Sequence, residues 1–337
     1  MSHPKDSPKP PVRRVTAKTV AELAGVSRSA VSRAFTPGSY VDLKKRRKIL
    51  SIAAEIGYQP NALAAGLKGG NSHLVAIFVG DIRSPYDTAF VSHLVGALNA
   101  LNKWPLLIDG SGKLAATAMV EVLRYPLDAL ILRGGSMSAD VVEQCSRFGI
   151  PMISSGRPVD ARGVDNVCCR NADGTRMGTG LLLRQGRRRF GFVAGPTDFY
   201  STDERRSGVV QALSQAGVSL TAEVESDYTV EGGYVATRKL LGEHQLDALI
   251  CANDAMAIGA LSAARELGRD VPKDLSIIGF DDIAMASWPI INLTTLRNPI
   301  DASVSQIIGL LERRLADRSK PDETVYVDPI VIERGTH

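Results

Sequence analysis

The chain has 337 residues, of which 44% are hydrophobic, and a formal net charge of +4. That length and apolar content are enough for more than one buried core, so two or three domains are expected. No apolar run reaches the roughly 18 residues that a membrane span needs. The first residues, MSHPKDSPKPPVRR, also lack the apolar stretch of a signal peptide, so a cytoplasmic protein without a membrane partner is predicted.

The charge is distributed unevenly along the chain. Residues 1–70 hold 13 basic and 4 acidic residues, a net charge of +9, whereas the other 267 residues hold 27 basic and 32 acidic residues, a net charge of −5. This asymmetry indicates a small polyanion-binding module joined to a mildly acidic domain. A merely solubilising basic tail is the alternative, and residues 1–14 are predicted to form such a disordered tail.

The cysteines and histidines indicate neither disulfides nor a metal site. Cys145, Cys168, Cys169 and Cys251 form no CxxC pair, and the five histidines are scattered. The thiols are therefore predicted to be reduced, with no metal ion and no cofactor bound.

The first ordered segment is predicted to contain three short helices near residues 17–24, 28–35 and 43–56. Gly25 can supply the turn between the first two helices, and Ser27 can cap the second. So short a second helix is unstable alone, so a miniature core is expected from Val20, Leu23, Val26, Val31, Ile49 and Ile52. Residues 15–60 are thus predicted to form a small all-α helix-turn-helix domain.

The second of these helices carries the residues that would contact DNA. Arg28 and Ser29 begin it and Arg33 lies about a turn further on, positions that face base edges when such a helix lies in a major groove. Ser27 and Ser32 are predicted to contact phosphates. The run KKRRK at 44–48 is either a solvated face or a phosphate-binding stripe. A plain helical hairpin with solvated arginines is the alternative for the whole segment.

From about residue 75 onward, short apolar runs alternate with helical patterns. Strands are expected at 74–79, 105–110, 127–132, 150–155, 189–195, 247–252 and 275–282. Short buried strands separated by helices indicate parallel sheets, and the rhythm restarts once, so two α/β subdomains are predicted. Ligands bind at the carboxyl ends of such strands, where the sequence places Arg157, Asn253, Asp254, Asp281 and Asp282.

The motifs resemble those of the lactose-repressor (LacI/GalR) family. VAELAGVSRSAVSRAF and VDLKKRRKILSIAAEIGYQPN are similar to its DNA-binding domain, and CANDAMAIGAL, VPKDLSIIGFDD and LTTLRNP are similar to elements of its core. Ala30 and Thr19 depart from the usual threonine and aspartate. The resemblance implies a periplasmic-binding-protein-like core, with an effector-binding N-subdomain at 72–168 and 299–325 and a C-subdomain at 169–298 and 326–337. It also implies a homodimer that binds double-stranded operator DNA.

In this family a hinge at residues 61–71 would become helical on operator DNA. The resemblance makes Leu67 the minor-groove wedge with Ala64 beside it, and makes Thr16 and Asn61 phosphate contacts. Gly66 disfavours the helix by roughly 1 kcal/mol relative to alanine. A flexible linker is the alternative.

The resemblance also implies that an effector binds between the two subdomains. The implied contacts are Asp281, Asn253, Arg205, Tyr228, Phe90 at the cleft mouth, and Arg157. Gly156 stands where many sugar-responsive members have an aspartate. A sugar or sugar derivative is expected, acidic ones included. For Asp281 a helix-capping role is the alternative.

Other functional classes fit the sequence less well. Asp281 and Asp282 are adjacent and would point apart, and the GTG of RMGTGLL follows no predicted strand, so no enzyme is predicted. A solute-binding receptor would lack the basic N-terminal segment. The prediction is a ligand-responsive repressor of carbohydrate-related genes that binds a palindromic operator, with an activator or dual regulator as the alternative. ERGTH at 333–337 carries no leucine heptads, which favours a dimer over a tetramer.

Overall fold

The computed structural model describes residues 15–36, 38–61, 72–80, 82, 84–110, 115–133 and 139–337. The predicted tail at 1–14 and hinge residues Ala64 and Leu67 lie outside these ranges. The chain divides into two compact units, residues 1–72 and residues 73–337. Within the described parts, no helix combines the length and apolar character needed to cross a bilayer.

The first unit contains helices α1 (Ala17–Ala24), α2 (Arg28–Phe35) and α3 (Leu43–Glu55). The predicted turn is confirmed, because Gly25 adopts φ 67° and Ser27 accepts a hydrogen bond from Ala30 N at 3.2 Å. At the start of α1, Thr16 and Thr19 form a capping box, so Thr19 takes the place of the expected aspartate.

The core of this unit contains five of the six predicted residues, together with four alanines that were not predicted. Its buried side chains are Val20, Ala21, Ala24, Val31, Ala34, Ile49 and Ala53, with Val26 and Ile52 packed at the edge. The prediction for Leu23 is wrong, since its side chain is 56% exposed. Ala24 occupies the inward face at that turn of α1, and the helical repeat turns Leu23 toward solvent.

The N-subdomain is built on a six-stranded parallel sheet in the order β11-β5-β4-β3-β1-β2. Its strands are β1 (Leu74–Val79), β2 (Trp104–Asp109), β3 (Ala129–Arg133), β4 (Met152–Ser155), β5 (Val164–Cys169) and β11 (Thr324–Val327). Its helices are α4 (Pro85–Ala100), α5 (Ala115–Val122), α6 (Ala139–Arg147) and α11 (Ile300–Ala316).

The C-subdomain has a second six-stranded sheet in the order β12-β10-β9-β8-β6-β7, parallel except for the β10–β12 pair. Its strands are β6 (Phe190–Ala194), β7 (Leu220–Glu225), β8 (Ala248–Cys251), β9 (Ser276–Asp281), β10 (Thr294–Arg297) and β12 (Ile330–Ile332). Its helices are α7 (Asn171–Arg184), α8 (Tyr200–Gln215), α9 (Val230–Glu243), α10 (Asp254–Glu266) and a 3-10 turn at Ala284–Ser287. The predicted pair of parallel-sheet subdomains is therefore confirmed.

The chain passes between the two sheets three times, after β5, after β10 and after β11. Two predicted boundaries, 168/169 and 325/326, fall inside β5 and β11. Within the N-subdomain, a buried ion cluster holds α11 and the segment before β11 against β5. Arg314 on α11 donates to both oxygens of Asp165 on β5 at 2.9 Å, and Lys320 adds a third contact at 2.8 Å.

Candidate DNA-binding surface and effector cleft

One face of α2 carries the predicted base-reading residues. Arg28, Ser29, Ser32 and Arg33 are all exposed, and they lie opposite Val31 and Ala34, which are buried in the core. Because side chains repeat every 3.6 residues, the spacing that buries the two apolar residues also turns the two arginines and two serines outward together. The surface is therefore polar and cationic, as contact with base edges requires.

Two of the predicted phosphate contacts already take part in helix caps. Ser27 Oγ caps α2 and also lies 2.9 Å from Ser29 Oγ, and Thr16 Oγ1 caps α1 at 3.4 Å from Thr19 N. All three hydroxyl residues are exposed, as is Asn61, which lies beyond the end of α3. Their contact with DNA remains a prediction.

Arg46 holds the C-terminal end of α2. Its Nη2 donates to the backbone oxygens of Arg33, Thr36 and Ser39 at 3.1–3.3 Å, while its Nε is buried. Arg33 lies in the last turn of α2, Thr36 is its C-cap and Ser39 lies in the following loop, so Arg46 ties the end of the helix to the segment after it. Neither interpretation of the KKRRK run predicted this structural role of Arg46. Because Arg46 binds these carbonyls, it does not belong to the exposed cationic surface of the run.

In the second unit, the carboxyl ends of both sheets border one cleft. Asp281, Asn253, Arg205 and Tyr228 line it from the C-subdomain, and Phe90 and Arg157 line it from the N-subdomain. The structure thus brings together all six residues that the sequence assigned to the effector. The cavity of the cleft has a volume of about 210 Å³, somewhat below the 300–1,000 Å³ typical of small-molecule sites.

A buried arginine–carboxylate pair forms the C-subdomain wall. Arg205 Nη2 lies 3.3 Å from Asp281 Oδ1, and Arg205 Nε donates to Asn171 Oδ1 at 2.9 Å. The guanidinium carbon also lies 3.7 Å from the ring centroid of Phe280. Asp281 ends β9 with φ 112° and caps no helix, because the 3-10 turn that follows has no side-chain cap. The capping alternative for Asp281 is therefore wrong.

Burial shifts the pKa of two carboxyl groups at or near this wall, those of Asp281 and Asp254. Burial raises the pKa of Asp281 to about 6, with Asp87 raising it further, while Arg205, Arg133 and Asn298 act to lower it. Asp254 lies outside the cleft lining, and burial raises its pKa well above the ordinary value. Its carboxyl accepts a hydrogen bond from Ile283 N at 2.9 Å and so fixes the turn that follows Asp281 and Asp282.

Asn253 and Tyr228 have structural contacts of their own. Asn253 Oδ1 caps α10 by accepting from Met256 N at 2.9 Å, and its Nδ2 donates to the Tyr228 carbonyl at 3.1 Å. The Tyr228 hydroxyl lies 2.7 Å from Thr202 Oγ1, and its ring packs edge-on against Phe199 at 5.6 Å. Tyr228 is only 7% exposed, so Phe199 and Tyr200, which are partly exposed, offer more aromatic surface to a ligand.

Phe90 does not lie at the cleft mouth, and that expectation is wrong. It is 1% exposed, and the guanidinium carbon of Arg133 lies 4.1 Å from its ring centroid. Arg133 and its ion-pair partner Asp87, whose Oδ1 is 3.2 Å from Arg133 Nη2, line the cleft but were missed from the sequence. A signal was present, because Arg133 directly follows the run expected to form a strand at 127–132, at its ligand-facing end.

Comparison with known proteins assigns both units to one family. Residues 16–61 match the family model described as bacterial regulatory proteins, lacI family, and residues 179–337 match a periplasmic binding protein-like domain. The chain is 30% identical over 293 residues to the probable HTH-type transcriptional repressor ExuR of Bacillus subtilis (strain 168), covering 85% of this chain and 87% of that protein. This chain belongs to the lacI family.

Other similar proteins agree with the lacI-family assignment. The HTH-type transcriptional regulator GalR of Escherichia coli (strain K12) is 28% identical over 330 residues, covering 95% of this chain and 94% of that protein. The lac repressor dimer bound to operator and the anti-inducer ONPF is 25% identical, with a TM-score of 0.86 over 96% of this chain and 99% of that one. The lacI-family protein described here is therefore a DNA-binding transcriptional regulator with an effector-binding core.

The features considered for enzymes have other roles in this lacI-family protein. Asp281 pairs with Arg205, whereas Asp282 pairs with Arg297 and Arg334 at 2.7 Å each, so the two carboxylates point apart. The expectation that the GTG segment follows no strand is wrong, because β5 ends two residues before α7 begins. Its glycines nevertheless lie inside α7 rather than in the turn, where a dinucleotide loop would need them.

Proposed function

We propose that this protein is a homodimeric repressor that binds a pseudo-palindromic operator and whose affinity for DNA is set by a small sugar or sugar derivative. It acts in the cytoplasm, where it meets the DNA. The ExuR protein of Bacillus subtilis is named a transcriptional repressor, which favours repression over activation.

The exposed face of α2 is the observation that carries the DNA-binding part of the proposal. An arginine fork from Arg28 or Arg33 can donate to guanine O6 and N7, and each such pair contributes about 1–3 kcal/mol of discrimination. Arg46 keeps the end of the helix in place by binding its carbonyls. Two copies of α2 would contact half-sites about one helical turn apart.

The hinge completes the operator contacts in this proposal. Ala64 and Leu67 would enter the minor groove as the paired hinges become helical, and Leu67 would unstack a base step. Thr16, Ser27, Ser32 and Asn61 would fix the register through phosphate contacts.

The cleft supports a polyhydroxylated effector. Asp281 and Arg205 offer acceptors and donors at one wall, and Phe199 and Tyr200 offer ring surface for C–H groups. Structures of similar fold include the lac repressor with ONPG and CelR with cellobiose. Closure on such a ligand would rotate one subdomain against the other and change the spacing of the two hinges, a coupling of typically 1–3 kcal/mol.

Exposed apolar side chains on the second unit support a self-associating surface. Trp104 and Leu107 on edge strand β2 are 62% and 51% exposed, and Ile290, which follows the 3-10 turn, is 73% exposed. Each is a large apolar side chain that a partner could cover. A second copy of the chain is the partner that an isologous dimer provides.

Selection on fragmented genomic DNA tests the proposal. The full-length protein should enrich a short palindromic sequence, and Arg28→Ala should relax the preference at particular base pairs. Arg124→Ala is the matched control, since Arg124 lies in the second unit and its side chain is 72% exposed. Enrichment without a common motif would overturn the proposal.

A further inference from the structure

The turn that carries Asp281 into the cleft has an unusual backbone conformation. Asp281 ends β9 with φ 112°, and Asp282 follows it with φ 58°. Glycine adopts positive φ values readily, whereas other residues adopt them rarely. Two such residues in succession persist only where neighbouring groups hold them in place. The direction of the Asp281 carboxylate therefore depends on the contacts that hold this turn.

The carboxylate of Asp282 is the main anchor of the turn. Its side chain is 7% exposed, and both of its oxygens are bound. Arg297 Nε on β10 lies 2.7 Å from Oδ2, and Arg334 Nη2 lies 2.7 Å from Oδ1. A further contact, from Ile283 N to Asp254 at 2.9 Å, holds the next residue. Charge-assisted hydrogen bonds are shorter and stronger than neutral ones, so the two arginines fix Asp282 firmly.

The two arginines differ in how firmly they are themselves held. The side chain of Arg297 is 46% exposed, whereas that of Arg334 is 15% exposed. Arg334 Nη1 also donates to the Leu293 carbonyl at 2.8 Å, and Arg334 N donates to Thr294 Oγ1 at 2.8 Å. Its guanidinium thus ties the turn after β9 to the residues at the start of β10. Because it is less exposed and has more partners, Arg334 restrains the turn more than Arg297 does.

Segment 334–337, which follows β12, packs against the amino ends of β9 and β10. Thr336 is 4% exposed, and its Oγ1 accepts from Thr294 N at 2.9 Å and donates to the Ile277 carbonyl at 2.7 Å. Ile277 N in turn donates to the Thr336 carbonyl at 2.7 Å. The cleft lies at the carboxyl ends of the same strands. Arg334 therefore extends from a segment fixed at the opposite end of the sheet and contacts Asp282 from there.

We propose that Arg334 is a positioning residue for effector binding, because it fixes Asp282 and thereby holds the Asp281 carboxylate toward the cleft. Arg334 itself lies outside the cleft lining. Its contribution passes through the backbone of the turn, which makes segment 334–337 part of the structure that the effector site needs. This inference rests on the proposed function, because it assumes that Asp281 contacts the effector.

Isothermal titration calorimetry of the full-length protein tests the inference. The probes are D-glucose, D-galactose, D-ribose, D-glucuronate and D-galacturonate. Arg334→Gln should lower the affinity for a probe that binds by about tenfold, because the turn no longer holds Asp281 in the binding geometry. Arg334→Lys keeps the charge without the fork and should restore part of that affinity. Arg206→Gln is the matched control and should bind as wild type does, since it breaks a two-bond pair with Glu223 outside the cleft lining.

A double-mutant cycle distinguishes positioning from a general loss of stability. Asp282→Asn should lower the affinity by itself, since asparagine tolerates positive φ but lacks the charge that the arginines bind. Arg334→Gln should then add little to the loss, because both changes remove the same anchor. Two independent losses would add.

Hydrogen exchange measured by mass spectrometry provides a readout that needs no ligand. Peptides spanning residues 279–286 should exchange about tenfold faster in Arg334→Gln, because the turn opens more readily. Peptides from α9 should keep the wild-type rate, since α9 contacts neither Asp282 nor segment 334–337 through any of the hydrogen bonds described above.

The contrary outcomes separate the two proposals. A probe that binds Arg334→Gln as tightly as it binds the wild-type protein, or additive losses in the cycle, would overturn the positioning role and leave a sugar-responsive repressor. Binding of none of the five probes to the wild-type protein would contradict the sugar part of the proposed function. Hydrogen exchange then decides the positioning role: an unchanged rate at residues 279–286 in Arg334→Gln would overturn it, and faster exchange confined to this turn would support it.

Discussion

Effector affinity should fall as the pH is lowered, because the carboxyl of Asp281 takes up a proton near pH 6. Burial raises its pKa to about 6, against the lowering effect of Arg205 and Arg133 and the further raising effect of Asp87. The charged form accepts hydrogen bonds from ligand hydroxyls and keeps its ion pair with Arg205 at 3.3 Å. The protonated form loses the ion pair and one acceptor.

The expected size of the effect follows from the ionised fraction. With a pKa near 6, about 99% of the carboxyl is charged at pH 8 and about 10% at pH 5. If only the charged form binds, the affinity drops about tenfold between these values and continues to fall about tenfold per pH unit below pH 5. The described residues that line the cleft include no histidine, so no imidazole among them titrates in this range.

Calorimetry at constant ionic strength between pH 5 and pH 8 measures this profile. Asp281→Asn should bind weakly at every pH and show a flat profile. Asp173→Asn, a change on the exposed face of α7 outside the cleft lining, should keep the wild-type slope. A flat profile in the wild-type protein, or the same slope in Asp281→Asn, would refute the reasoning.

Four further changes test separate parts of the account. Arg28→Ala should cost about 1–3 kcal/mol at a cognate operator and change the base preference, as measured by anisotropy on a panel of single-base variants. Leu67→Ala should weaken operator binding more than binding to random DNA, and equal losses on the two DNAs would remove the wedge role. Arg46→Ala should lower affinity for all DNA sequences and lower the melting temperature of the first unit by calorimetry, because the guanidinium that ties Arg33 and Thr36 to Ser39 is lost. Asp165→Asn should lower the free energy of unfolding by about 3–5 kcal/mol in urea titrations, because Arg314 and Lys320 lose the buried carboxylate that they share and keep only the more exposed Asp322 and Glu323; a change within experimental error would contradict this.

The local pattern of the sequence was enough to predict the small helical unit. Gly25 and Ser27 act through contacts within a few residues, so the turn and the cap could be predicted directly. Leu23 was assigned to the core because it is apolar, although the helical repeat turns it outward. The role of Arg46 depends on carbonyls 7 to 13 residues away along the chain, and no local pattern indicates such a contact.

In the larger unit, strands with a continuous apolar run were predictable, whereas β5, β7, β10, β11 and β12 were not. β7 alternates exposed and half-buried residues at a sheet edge, so it lacks the continuous apolar run that marks a buried parallel strand. β10, β11 and β12 have only three or four residues each. β5 interrupts its apolar residues with Asp165 and Asn166, which the ion cluster and hydrogen bonds to Val159 satisfy.

The cleft residues could be predicted as a set, but their contacts could not. Family motifs pointed to Asp281, Asn253 and Arg205, which do line one cleft. Whether Asn253 faces a ligand or caps α10 depends on the three-dimensional position of Tyr228. Gly156 leaves space for the guanidinium of Arg133, which lies on a different strand. The two residues come together only because β3 and β4 pair in parallel register.

The most direct test of the central claim is the affinity of the full-length protein for its selected operator, measured with and without the effector found by calorimetry. The account predicts a change of about 5- to 150-fold, and an equal change in effector affinity when operator is present, since coupling between two sites is reciprocal. An operator affinity that stays the same at saturating effector would contradict it.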